Sequence, residues 1–128
     1  LTLDGTNVSG PGYRGLAVWH KAVDLAVQIH SVSLAFPEIE RFILIPPFQR
    51  AANSISSNIA EGRGRGSKAD YVRFLNIAHG SLCEVETQIE LARRFGYLND
   101  SKVDELSQAC EEIGRMLRGL IKSQRPEN

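Results

Sequence analysis

Between Ser67 and Gly96 the apolar residues Tyr71, Phe74, Leu75, Ala78, Leu82, Val85, Ile89 and Ala92 recur by threes and fours. That spacing keeps one face of an α-helix continuously apolar, whereas a half-buried strand would alternate every second residue. Ser67-Lys68-Ala69-Asp70 resembles a capping box at its start, with Asp in the place usually held by Glu or Gln. Gly96 supplies the stop. About 28 residues of helix span about 42 Å, so the apolar face needs partners of similar length to cover it.

The rest of the chain supplies those partners. Val103, Leu106, Cys110, Ile113, Leu117 and Leu120 follow a 3-4-3-4-3 spacing, the seam of a helical bundle, after alternative caps at Asn99, Asp100 and Ser101. Upstream, Leu16, Trp19, Val23, Ala26 and Val27 are predicted to share one face of a first helix. It ends near Ala35, because Pro37 pushes Phe36 out of helical geometry. After a connector over 36–47, Pro46 and Pro47 open a second helix from its first turn. Phe48, Ala51, Ala52, Ile55 and Ile59 form its stripe, and Gly62 is expected just past its end as a left-handed cap. No segment alternates with period two for long enough to form a strand. The predicted fold is all-α: an up-and-down four-helix bundle over 13–125, with a flexible tail at 1–12 and a short tail at 126–128.

A chain of 128 residues suits one domain and needs neither disulfide nor metal to bury a core. Fifteen Lys and Arg balance fifteen Asp and Glu. Dedicated nucleic-acid-binding domains carry a basic excess, so any charge-based function here requires local segregation. Cys83 and Cys110 sit inside helical patterns and read as reduced, buried thiols of a cytosolic protein. Asn7-Val8-Ser9 and Asn99-Asp100-Ser101 fit the glycosylation sequon, which matters only in a secreted chain. No signal peptide or membrane-length apolar run is evident, so a cytoplasmic location is expected. The chain starts at Leu1, which leads one to expect its natural N-terminus upstream.

Several segments, taken in order, carry a family resemblance. They are Leu16-Ala17-Val18-Trp19-His20-Lys21-Ala22, Phe36-Pro37-Glu38-Ile39-Glu40-Arg41-Phe42, the stretch from Arg50 through Ser54, Ser57, Asn58 and Glu61 to Gly62, Phe74 to Glu84, and Gly96-Tyr97-Leu98. The chain resembles the small four-helix-bundle proteins encoded within intervening sequences of bacterial 23S rRNA genes, over roughly residues 13 to 122. Pro46-Pro47-Phe48-Gln49 departs from the usual polar, Gln- and Arg-bearing start of the second helix, with the loss of one basic residue. The resemblance implies a homopentamer and, by genetic location, proximity to ribosomal RNA. A distantly similar fold belongs to the accessory variability determinant of diversity-generating retroelements, which acts with a reverse transcriptase and nucleic acid.

The strongest functional candidate among the residues themselves is Gly62 to Lys68. Arg63, Arg65 and Lys68 stand in a glycine-rich loop that feeds a helix N-terminus, a combination suited to phosphate. The competing reading is a solvated connector capped on each side. In a pentamer, three cations per loop would make a ring of about fifteen, and binding to phosphates would be strongly salt-dependent. A second cluster, Arg115, Arg118, Lys122 and Arg125, follows Asp104, Glu105, Glu111 and Glu112. This order complements the helix dipole, so the favoured role is structural, with a secondary nucleic-acid face as the alternative.

Asn53, Ser54, Ser57, Asn58 and Glu61 are expected to bond across a helix or subunit contact. Arg50 and Gly62 complete that family signature. Gly80 is expected to permit close packing. Trp19, Phe36, Phe42 and Phe48 are expected in core or subunit contacts. His79 and Cys83 share a ligand face, but no fourth zinc ligand is evident, and no di-iron motif, P-loop or nucleophile elbow occurs. The chain is therefore expected to have no metal, cofactor or small-molecule substrate and not to be an enzyme. Its expected role is an oligomeric scaffold that binds RNA. The alternative is a protein-interaction module that recruits a partner such as a nucleic-acid enzyme.

Overall fold

The chain's computed structural model describes residues 12–125. The expected tails fall outside the described residues except for Gly12, which opens a 3₁₀ turn, Gly12–Gly15. Four helices follow: α1 (Ala17–Ser33), α2 (Ile45–Gly64), α3 (Lys68–Arg94) and α4 (Asp100–Ser123), with a 3₁₀ turn at Glu38–Phe42 between the first two. Among the described residues α1 packs on α2, α2 on α3, α3 on α4 and α4 back on α1, while the backbones of diagonal pairs stand further apart. That is an up-and-down bundle.

Local chemistry explains the boundaries. Pro46 and Pro47 fall in the first turn of α2, where a missing N–H removes no helical bond. Ser67 Oγ accepts from the Asp70 backbone N–H at 3.1 Å, and Asn99 Oδ1 accepts from the Lys102 backbone N–H at 2.8 Å. Asp70 does not complete the capping box; its carboxylate accepts from Arg73 instead. At the end of α3, Gly96 takes φ 81°. The Tyr97 N–H reaches Ala92 O and the Gly96 N–H reaches Arg93 O, the paired bonds of a Schellman stop.

All eight expected stripe residues of α3 are buried, as are Leu106, Cys110, Ile113, Leu117 and Leu120 of α4. Phe48 is fully enclosed and stacks against Phe36 with ring centroids 6.2 Å apart. Each such large apolar side chain contributes roughly 1.5–3 kcal/mol relative to exposure.

Three expectations need correction. The core-facing line of α1 is Val18, Ala22, Leu25, Ile29 and Ser33. Of the expected stripe Leu16 is buried in the core, whereas Trp19, Val23 and Ala26 are only half-buried and Val27 is exposed, so most of it lies along the edge of the core. Gly62 is not a left-handed cap; it lies inside α2 and is buried. A Cβ there would stand 2.7 Å from Phe74 Cβ, so glycine is what allows α2 to lie against α3. The left-handed glycine is Gly66, at φ 86° in the turn. Gly80 faces open space, and its neighbour Ser81 makes the contact: Ser81 Oγ lies 2.7 Å from Ser54 Oγ on α2.

Candidate nucleic-acid interface

Antiparallel connectivity sends the α2–α3 turn and the last turn of α4 to the same end of the bundle. The two basic clusters, some fifty residues apart in sequence, therefore converge. Gly62, Arg63, Gly66, Ser67, Lys68 and Tyr71 line a cleft of about 210 Å³ together with Gln124, the residue after α4. Lys122 and Arg125 flank Gln124 in sequence. Arg115 is not part of this gathering. It stands nine residues, about 13 Å, further up α4 and donates to Glu111 at 3.1 Å.

The loop itself is shorter than expected, because α2 continues to Gly64 and α3 begins at Lys68. Its arginines are held. Arg65 donates to Glu61 Oε2 at 2.8 Å and lies 5.0 Å from the Phe74 ring centroid. Arg63 lies 5.8 Å from the Tyr71 ring centroid. Of the three cations counted for the loop, Arg65 is neutralised by Glu61. Among the described residues Arg63, Lys68, Arg118, Lys122 and Arg125 form no ion pair, and all are exposed.

The signature residues divide by role. Ser54 joins α2 to α3 through Ser81, and Asn58 Nδ2 donates to Ser54 O at 2.8 Å and to Ser54 Oγ at 2.9 Å. Those two serve the bundle. Glu61 serves the basic end by neutralising Arg65. Ser57 is exposed in a shallow groove between α1 and α2, and Arg50 is exposed on α2. The groove runs from Tyr13 and Trp19 past Ser56 and Ser57 to Val23, Ala26 and Val27. It carries the apolar α1 residues that the core leaves out.

Three contributors escaped sequence reading. Tyr71 belongs to the apolar stripe, yet its hydroxyl is polar; burial holds the phenol above its ordinary pKa, with Arg63 pulling weakly the other way. Arg73 lies 4.4 Å from the Phe74 ring centroid and pairs with Asp70. Gln124 enters the cleft only because α4 returns to this end. Aromatic and basic residues alternating near position 70 were the available signal.

The opposite end differs. Leu34, Ile39, Phe42 and Ile43 in the α1–α2 connector, and Phe95 after α3, are exposed, Phe42 by 81%. Phe42 thus completes no core contact, unlike Phe36 and Phe48. Tyr97 Oη ties this end together by donating to Glu40 Oε2 at 2.6 Å, which raises the phenol pKa. Cys110 is buried and its thiol is pushed up to about 12, first by burial and then by Glu86, whereas Cys83 is exposed, contrary to expectation. His79 Nδ1 stands 4.0 Å from Cys83 Sγ, and among the described residues no three potential metal ligands cluster. Nor, among them, is any helix long and apolar enough to cross a membrane.

These features define an antiparallel four-helix bundle with one basic end and one apolar end. The chain belongs to the 23S rRNA-intervening sequence protein family, whose profile matches residues 14–119. It is similar to a solved protein of unknown function from the S23 ribosomal protein family of Bacteroides thetaiotaomicron VPI-5482. The two are 29% identical with a TM-score of 0.76, over 83% of this chain and 99% of that one. No curated protein matches the chain significantly.

Proposed function

We propose that this protein is a non-enzymatic oligomeric scaffold whose basic end holds the phosphate backbone of RNA. One observation carries the reading: the fold unites two cation clusters of a neutral chain at one end and leaves Arg63, Lys68, Arg118, Lys122 and Arg125 without carboxylate partners among the described residues. Arginine over an aromatic ring presents its N–H edge outward, suited to phosphate oxygens. Membership in a family tied to 23S rRNA intervening sequences makes RNA the favoured polyanion.

The oligomer is a homopentamer, as the family resemblance implies. The α1–α2 groove, with half-exposed Trp19, Val23 and Ala26 beside small Ser56, Ser57 and Ala60, is the self-association face that best fits it. Five copies carrying Arg63 and Lys68 would present about ten unpaired cations from the loops, fewer than the fifteen counted without the Arg65–Glu61 pair.

Anisotropy titration with a labelled RNA tests this reading. Replacing Arg63, Arg65 and Lys68 by Ala should weaken binding at low salt while light scattering shows an unchanged oligomer. No RNA binding at low salt would sink the proposal. A specific observation favours a second reading: the exposed Ile39, Phe42 and Phe95 offer a surface for a protein partner. Nuclease-resistant, stoichiometric capture of one protein, lost on Phe42→Ser, would favour it.

A further inference from the structure

Three arginines around the α2–α3 turn lie over aromatic rings, but they are not equivalent. Arg63, over Tyr71, has no ion pair among the described residues, so its N–H edge is open to phosphate. Arg65 and Arg73 share one ring, with guanidinium carbons 5.0 and 4.4 Å from the Phe74 centroid. Each also donates to a carboxylate, Arg65 to Glu61 at 2.8 Å and Arg73 to Asp70 at 3.4 Å. A phosphate approaching either one meets that carboxylate beside it, which cancels the attraction.

What the pairing leaves is the guanidinium plane. Held between a ring and a carboxylate, it has given up much of its rotamer freedom before any ligand arrives. Both side chains still present surface to solvent, 46% for Arg65 and 56% for Arg73. Ile77, one turn beyond Arg73 on the same side of α3, is 42% exposed and continues the strip with apolar surface. Planar, weakly hydrated cations beside apolar surface are stacking partners for nucleobases.

We propose that Arg65, Phe74 and Arg73 form a stacking platform for unpaired nucleobases, and that the RNA this protein takes is single-stranded. The inference rests on the RNA-binding role proposed above and adds the strand class to it. Arg63, Lys68 and the α4 cations hold the backbone, and the two neutralised arginines hold bases. Arg73 follows Lys68 by five residues, about 7.5 Å along α3, so a strand gripped at Lys68 brings its bases within reach. In duplex RNA the base faces are closed by stacking and pairing, whereas a single strand splays them onto the platform. Because each arginine carries its own carboxylate, the platform adds affinity without adding to the salt dependence. Every base has a π-face, so sequence discrimination is weak.

Anisotropy titrations at fixed salt test the platform, with one unstructured RNA sequence offered as a single strand, as a duplex, and as a single strand with abasic positions. The intact single strand should bind about tenfold tighter than the other two, the effect of stacking one base. The double variant Arg65→Lys/Arg73→Lys keeps both charges and removes both planes. It should lose that tenfold advantage while its duplex affinity, its slope of log affinity against log salt and its melting temperature stay at wild-type values.

Equal wild-type affinities for single strand and duplex overturn the platform and leave the phosphate-holding role standing. A double variant that binds the single strand as the wild type does has the same consequence. So does a loss of equal size on single strand and duplex, which is what a purely structural role of the two arginines would give. No binding of any of the three RNAs at low salt overturns the platform and the RNA-binding role together.

Discussion

The two ends of this bundle are made in the same way, from connections between antiparallel helices, yet they treat charge and apolar surface oppositely. At the connector end, Arg41 meets Glu38, Arg93 and Arg94 share Glu90, and Lys102 meets Glu105, so most cations are paired there and Arg50, near the start of α2, is exposed without an ion pair among the described residues. Beside these pairs the end exposes large apolar side chains: Leu34, Ile39, Phe42, Ile43 and Phe95. At the other end, Glu61 and Asp70 occupy Arg65 and Arg73, and the remaining cations have no partner among the described residues. A net charge of zero therefore hides a chain with one charged and one greasy pole. Composition sums over the molecule, while function depends on where the fold puts each sign.

The ends also differ in how they are rooted, and that difference can be broken by mutation. The apolar end hangs on Phe48, which stacks on Phe36, which in turn meets Tyr97 at 5.2 Å between centroids. Phe48→Ala should cost about 3–5 kcal/mol in denaturant unfolding. A loss under about 1 kcal/mol would mean that this end is not anchored in the core. The basic end hangs on close approach. Gly62→Ala places a methyl against Phe74 Cβ and beside the Tyr71 ring and carbonyl, so a smaller loss of about 1–3 kcal/mol is expected by the same measurement. A neutral or stabilising result would show that α2 and α3 have slack there.

The smallest effect concerns the two thiols between the poles. Cys83 should react with a thiol reagent in the folded protein and Cys110 only on unfolding. Equal rates would contradict the burial of Cys110. The raised Cys110 pKa also fixes a sign. The folded thiol stays protonated where an unfolded one ionises, so its contribution is intact below the ordinary value of 9.0. It is lost as pH rises from there toward about 12.

Legibility in the sequence followed the number of apolar lines a helix offers. The α3 stripe was readable in full because α3 presents one broad apolar face, buried along its length. In α1 two apolar lines compete, and both satisfy helical spacing. Val18, Ala22, Leu25 and Ile29 reach the core because of how α2 and α4 flank the helix, and no local pattern states that. Gly62 was ambiguous for a related reason. A glycine near a helix end fits a left-handed cap and a close crossing equally well, and Phe74 decides between them from another helix. The site was half legible. Arg63 and Lys68 could be read from the loop, but Gln124 became visible only when the fold brought α4 back to that end.

The contrast between the ends is tested most directly by the salt dependence of RNA affinity. The slope of log affinity against log salt should be measured for the wild type, for Arg63→Ala/Lys68→Ala and for Ile39→Ser/Phe42→Ser. If the basic end holds phosphate, the first variant loses slope by about one for each contacting cation removed in a protomer, and the second keeps the wild-type slope. Identical slopes for all three proteins, or a slope that falls only when the apolar end is altered, would contradict the assignment.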